Sequence, residues 1–305
     1  MAGDNFTVVT EFILLGFSDL PKLQGILFGI FFIIYISIIL GNGLLIVITK
    51  IDSGLQTPMY FFLGNFSFLE ICYTSVTIPR MLADLWTQMK TISFLACAVQ
   101  TFFLYILGSA ECLLLAVMAY DRYVAICKPL YYPLIMNHKL CVQLVVASWM
   151  IGIPILFVET YQIFHLHFCG PNKLNHIFCD APPLLELACG DTHKTEIFVA
   201  VPALLLILIP FLLILTSYIK IITTILKLPS NSGRIKAFST CFSHLTVVGL
   251  FYGSASIVYL QPKSSGESVK IFALVYTTVT PMFNPLIYSL RNKDVIAALR
   301  KLLPK

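Results

Sequence analysis

Two carboxylates in this chain stand far from any other charge. Glu70 is the sole charged residue between Ser53 and Pro79, and Glu111 the sole one between Thr91 and Tyr120. In lipid an isolated carboxylate costs about 2.5 kcal/mol or more, so a functional role is the default expectation. If the two meet, a cation or a shared proton must neutralise them. Asp121-Arg122-Tyr123 closes the second run, where the guanidinium can pair with Asp121 and snorkel towards water. Pro285, beside Asn284, has no backbone N–H and loosens its helix, as Pro210 does elsewhere; the alternative is a pair of static kinks. Cys97, Cys169, Cys179 and Cys189 allow three disulfide pairings. The other five cysteines, Cys72, Cys112, Cys127, Cys141 and Cys241, read as packing residues. His165, His167, His176 and His193 share one loop and are better explained as solvated polar residues than as metal ligands. With no nucleophile–base pair and no phosphate loop, enzymatic activity is not expected.

The elements that position these residues follow from composition. Of 305 residues 58% are hydrophobic and only 11% charged, with a mean hydropathy of +0.88. A soluble domain carries about a quarter charged residues, so most of this chain is solvated by lipid. Disorder is excluded by the hydrophobicity, collagen by 16 Gly and a small disulfide scaffold by 9 Cys in 305 residues. Seven long apolar blocks run between the charges, and each is long enough to cross a bilayer as a helix. The expected fold is an all-α membrane protein, a seven-transmembrane-helix bundle forming a single domain over residues 1–305. The expected spans are 23–49, 57–80, 93–127, 140–160, 197–226, 236–261 and 269–290. A short amphipathic helix over 292–303 carries Val295, Ile296, Leu299, Leu302 and Leu303 on one face and should lie along the inner leaflet.

One set of flanks, including the C-terminal tail, holds 13 Lys/Arg against three acids, and the other holds seven against ten. That asymmetry places the C-terminus in the cytoplasm and the N-terminus outside. The net charge of +5 is thereby an orientation signal and a basic inner face, not a nucleic-acid site. Residues 1–22 lack the pattern of a cleavable signal, so the first span is expected to target the chain. Asn5-Phe6-Thr7 is a glycosylation sequon in the exterior tail, whereas Asn65-Phe66-Ser67 lies within a span and is discounted. An exterior loop of 38 residues, 159–196, holds three of the four pairable cysteines; stapling it over the helix mouths would add a few kcal/mol.

Several strings narrow the choice among seven-span proteins. They are Gly41-Asn42, Leu55-Gln56-Thr57-Pro58-Met59-Tyr60-Phe61-Phe62-Leu63, Met118-Ala119-Tyr120-Asp121-Arg122-Tyr123-Val124-Ala125-Ile126-Cys127 and Ser217-Tyr218. To these add Lys236-Ala237-Phe238-Ser239-Thr240-Cys241-Phe242-Ser243-His244-Leu245 and Pro281-Met282-Phe283-Asn284-Pro285-Leu286-Ile287-Tyr288-Ser289-Leu290-Arg291-Asn292. Together they resemble the odorant (olfactory) receptors of the rhodopsin-like G-protein-coupled receptors, of the terrestrial-type class, over essentially the whole chain. Gln56 stands where the family usually has His, and Glu70 where Asp is more usual.

The resemblance implies that activation frees Arg122 to contact the G protein and the hydroxyls of Tyr218 and Tyr288. Asp121, Tyr123, Lys236, Asn284 and Pro285 would share that switch. It implies Na⁺ held between Glu70 and Glu111, near Asn42 and Asn284, with a shared proton as the alternative. Odorant would sit in the outer half, against Tyr105, Gly108, Ser109 and Cys112, one face of the third span at i, i+3, i+4, i+7 spacing. Tyr252, Ala255, Ser256 and Tyr259 repeat that spacing on the sixth, with Val199, Ala203 and Leu206 on the fifth and Leu274 and Thr277 on the seventh. Leu104 stands where amine receptors of the wider superfamily carry Asp, and no Arg or Lys lines the outer sixth span. The ligand expected is therefore a small neutral volatile with one oxygen function. The function implied is an odorant receptor of the plasma membrane, raising cyclic AMP through a stimulatory, olfactory-type G protein. Rival readings are a chemosensory receptor of another tissue and a transporter or channel; the latter is disfavoured by the odd span count and the absence of internal repeats.

Overall fold

The computed structural model describes residues 9–87, 89–169, 171–190, 192–227, 231–260, 266–290 and 293–302, with some side chains inside the helices left out. Asn5, and the side chains of Lys236 and Tyr259, lie outside the described residues. Among the described residues seven helices are long and apolar enough to cross a membrane. The first three are α1 (Gln24–Ile51), α2 (Pro58–Thr87) and α3 (Phe94–Cys127). A short α4 (Tyr132–Ile135) precedes the fourth span, which is bent at Ile151-Gly152 into α5 (His138–Met150) and α6 (Ile153–Phe164). After α7 (Ala181–Leu187) come α8 (His193–Leu226) and α9 (Asn231–Leu260). The seventh span joins α10 (Gly266–Leu274) to α11 (Thr280–Leu290) through a π-helical stretch, Val275–Val279. The chain closes on α12 (Lys293–Leu302).

Burial divides these helices by role. α3 packs against α2, α5, α6, α8 and α9, and buries most of the residues on its lower half. α1 and α8 are apolar all round yet bury only a minority of residues, as expected of helices whose other faces meet lipid. Glycines permit close approach between helices, as at Gly64, where a Cβ would lie 2.9 Å from Thr49 Oγ1. A Cβ on Gly41 would lie 3.2 Å from Pro285, and one on Gly152 only 2.7 Å from Ser109 Oγ, so α1 meets α11 and the fourth span meets α3 at those points.

Several helix ends differ from the expected spans, among them that of α9, which begins at Asn231 and not at 236. α2 continues to Thr87 because Arg80 pairs with Asp84 at 2.8 Å one turn on, and this charged extension supports itself. α8 begins at His193, with Thr192 Oγ1 donating to Glu196 across the first turn at 2.8 Å. α6 runs to Phe164 and so places Glu159 in a helix, not at the start of a loop. A charge ends an apolar run, but it does not end a helix.

Nothing in the charge-gap pattern anticipates the small sheet at one end of the bundle. β1 (Glu11–Leu14) lies between β2 (Thr91–Ser93), antiparallel, and β3 (Lys173–Leu174), parallel. Phe12 and Leu14 alternate inward and are buried with Ile92, Cys97, Ile163 and Leu174, so the N-terminal segment is clamped over this end, called upper below. Disulfides Cys97–Cys179 and Cys169–Cys189 decide among the three pairings, with Cα–Cα distances of 5.5 and 5.7 Å. At the lower end α12 turns Val295 and Ala298 inward. It is tied to the α1–α2 turn by Lys301 Nζ to Asp52 at 2.8 Å, and to α2 by Tyr60 Oη donating to Asp294 at 3.3 Å. The Lys301 hydrogen bond, aided by the Gly54 N–H, holds the Asp52 carboxyl below its ordinary range.

Candidate ligand cavity and switch network

A cavity of about 560 Å³ opens between α3, α6, α8 and α9 beneath the upper loop. From the third span it takes Tyr105, Gly108, Ser109 and Cys112; from the fifth, Val199, Ala203 and Leu206; from the sixth, Ala255 and Ser256. These expected positions are brought together. Three others are not. Tyr252 spends its hydroxyl on the Cys112 carbonyl at 3.3 Å and braces α9 against α3. Thr277 donates to the Ala273 carbonyl at 2.6 Å within the π-helical segment, and Leu274 packs towards α1 and α2. The extra residue of the π turn rotates the seventh span so that Tyr276 faces the cavity instead.

Tyr105 lines the cavity with its ring, but its hydroxyl is already committed. It donates to Asp180 Oδ1 at 3.0 Å and accepts from the Ala181 N–H at 2.9 Å. Gln100 accepts from the Cys179 N–H at 3.0 Å and donates to the Val76 carbonyl at 3.0 Å. With the Cys97–Cys179 bond, these contacts hold residues 175–186 as the roof of the cavity. His176, Phe178 and Asp180 therefore face it, as do Leu156 and Glu159 of α6 and Tyr73 of α2. The i, i+3, i+4 spacing could not find His176, Phe178 and Asp180, because a loop has no helical face. The one signal was Cys179 itself: once joined to Cys97, its neighbours must lie across α3. Burial pushes the His176 imidazole below 6.5 and the Asp180 carboxyl above 3.8, each partly offset by the charge of the other.

Below the cavity floor lies a buried polar layer. Glu70 and Glu111 are fully shielded from water, and Asn284 Nδ2 donates to Glu70 Oε1. Asn42 donates to the Pro281 carbonyl at 3.4 Å and to the Ile38 carbonyl at 3.1 Å. Among the described residues five oxygens here have no donor: Glu70 Oε2, both of Glu111, Asn42 Oδ1 and Asn284 Oδ1. An all-oxygen, anion-rich set of this kind fits a small hard cation.

One step lower, the Arg122 guanidinium donates to the Met118 carbonyl at 2.9 Å and feels both Tyr218 and Tyr288. The expected pairing with Asp121 is not what forms. Asp121 accepts from Tyr132 Oη of α4 at 2.8 Å, because Arg122 turns into the bundle while Asp121 faces the α3–α4 turn. Tyr123 also leaves the cluster, its ring lying under the ammonium groups of Lys220 at 5.6 Å and Lys128 at 6.0 Å. Tyr218 Oη shares a 2.8 Å hydrogen bond with His244 Nδ1, and this buried histidine joins α8 to α9. The motif around Ser243-His244-Leu245 marked it, yet no spacing rule gave it a partner.

The comparisons with known proteins agree with this architecture. The olfactory receptor family model matches residues 31–305. The chain belongs to the olfactory receptor family. It is 59% identical to human olfactory receptor 10AG1 over 97% of this chain and 99% of that protein. It is 52% identical to human olfactory receptor 10A7 over 99% and 96%. The fold is shared with squid rhodopsin, at a TM-score of 0.75 and 19% identity over 94% of this chain and 81% of that one. This olfactory receptor is thus a seven-span membrane protein with the fold of rhodopsin, a signalling receptor rather than an enzyme, from a family whose partners are odorants and G proteins.

Proposed function

We propose that this receptor binds a small neutral volatile in the cavity beneath residues 175–186 and signals through a stimulatory, olfactory-type G protein to raise cyclic AMP. The upper end, with the N-terminus, faces outwards at the plasma membrane, and the tail faces the cytoplasm, following the Lys/Arg asymmetry. The observation that carries the reading is the position of the cavity floor. Cys112 lines it, its sequence neighbour Glu111 belongs to the oxygen layer, and Asn284, bonded to Glu70, stands one turn before Tyr288 on α11. A ligand that prefers one packing of α3 against α9 shifts the population of the whole stack. With about ten heavy atoms it should bind at micromolar to a few hundred micromolar, roughly 5–7 kcal/mol.

Glu70, Glu111, Asn42 and Asn284 would hold Na⁺ in the resting state. When bound, the ion would neutralise the two carboxylates; a shared proton is the other way to do so. Asn284, bonded to Glu70, couples that layer to the loosened turn at Pro285. The test is a cyclic-AMP assay in cells carrying the olfactory G protein, screened with volatiles. Arg122→Ala should abolish the response at normal surface levels; full signalling by that variant would overturn the switch assignment.

A further inference from the structure

The cavity lining leaves polar atoms without partners. Ser109 Oγ, Glu159 Oε1, His176 Nε2 and Asp180 Oδ2 are all shut off from water, and none has a hydrogen-bond partner among the described residues. Three of these residues do not depend on a ligand. His176 engages the Phe178 carbonyl through Nδ1 at 3.1 Å, Asp180 holds Tyr105 and the Ala181 N–H, and a hydroxyl such as Ser109 tolerates isolation at small cost. Glu159 differs. It is 1% exposed, it sits on α6 with Leu156 one turn before it in the same wall, and among the described residues it forms neither a hydrogen bond nor an ion pair. A buried carboxyl oxygen with nothing to accept from is costly to the fold unless something else enters to meet it.

The surroundings say what would enter. Asp180, Glu186 and Glu196 also line the cavity, and among the described residues no Lys or Arg does. The field inside therefore favours hydrogen-bond donors and positive charge over acceptors. We infer that Glu159 is the polar anchor of this cavity, accepting a hydrogen bond from a ligand whose one polar group carries an O–H or N–H, an alcohol or an amine on an apolar skeleton. Ligands whose oxygen only accepts, such as methyl ethers, leave Glu159 unmatched. This rests on the odorant-site reading and narrows its "one oxygen function" to a donor.

The experiment uses matched sets of straight-chain and benzylic skeletons, each as alcohol, amine, aldehyde and methyl ether, applied to the full-length receptor in the cyclic-AMP assay. In the wild type, alcohols or amines should act at concentrations at least about tenfold below their methyl ethers and aldehydes. Glu159→Leu should erase that gap while the methyl-ether response persists. Should Glu159→Leu fail to reach the surface, Glu159→Gln serves: its uncharged amide is a weaker acceptor and can itself donate to an ether oxygen, so the gap should narrow several-fold. An ether or aldehyde equal to its alcohol on the wild type, or a gap unchanged in a surface-expressed Glu159 variant, overturns the anchor but upholds the site. Silence of the surface-expressed wild type towards every compound overturns both.

Discussion

At the scale of single residues, the cavity roof depends on a histidine kept neutral by burial. His176 is 2% exposed, with Asp180 and Lys270 the charged groups acting on it. Its folded value is depressed, so it contributes stability in full above 6.5 and loses it as the pH falls below 6.5. Asp180 runs the other way: its raised value means that acid relieves the cost of its buried charge. Comparing wild type with His176→Gln isolates the first effect. The melting-temperature advantage of the wild-type receptor in detergent should shrink between about pH 7.5 and about pH 5.5. An advantage that grows in acid would mean the imidazole is charged in the fold. Tyr105 and Tyr252 show how a residue correctly placed on a face can still have its hydroxyl spent on the protein. Side-chain spacing specifies direction; it does not specify partners.

At the scale of elements, the two disulfides do unequal work. Cys97–Cys179 closes 82 residues and joins α3 to the roof, whereas Cys169–Cys189 closes 20 within the loop. Chain entropy alone makes the first worth about 1 kcal/mol more, and it also carries the Gln100 and Thr101 contacts to residue 179. Cys97→Ser should therefore lower the melting temperature more than Cys169→Ser and should also weaken ligand response, measured as potency at matched surface level. Equal losses would show that the roof is held by the sheet of β1, β2 and β3 instead. The bend at Ile151-Gly152 and the π-helical stretch at Val275–Val279 are element-scale features of the same kind. Each re-aims the helix beyond it, α6 towards the cavity with Glu159 and the seventh span so that Tyr276 replaces Leu274.

At the scale of the whole molecule, the cavity, the oxygen layer and the Arg122 cluster stack along α3, each within a few helical turns of the next. A ligand above and an ion in the middle can then bias one packing. If Na⁺ occupies the layer, replacing K⁺ by Na⁺ at constant ionic strength should raise the melting temperature of the wild type, by mass action on the folded resting state. Glu70→Gln or Glu111→Gln should abolish that rise. A rise retained in both variants would place the ion elsewhere; no rise in the wild type would favour the shared proton.

The seven spans were legible in the chain alone because their physics is local, whereas the switch strings spoke only through their resemblance to a receptor family. Transfer of an apolar block into lipid is a sum over neighbouring residues, and the Lys/Arg bias acts on adjacent flanks. Glu70, Glu111, Arg122 and Asn284 stood out for the same reason, as polar groups within greasy runs. What only the tertiary structure decided involves segments far apart in sequence. These are the choice among three cysteine pairings, β1 slotted between β2 and β3, and Asp121 turned to Tyr132 instead of Arg122. Glu159 is the plainest case. Its charge marked the end of an apolar run, and only the packing of α6 against α3 made it a buried, unmatched acceptor facing the cavity.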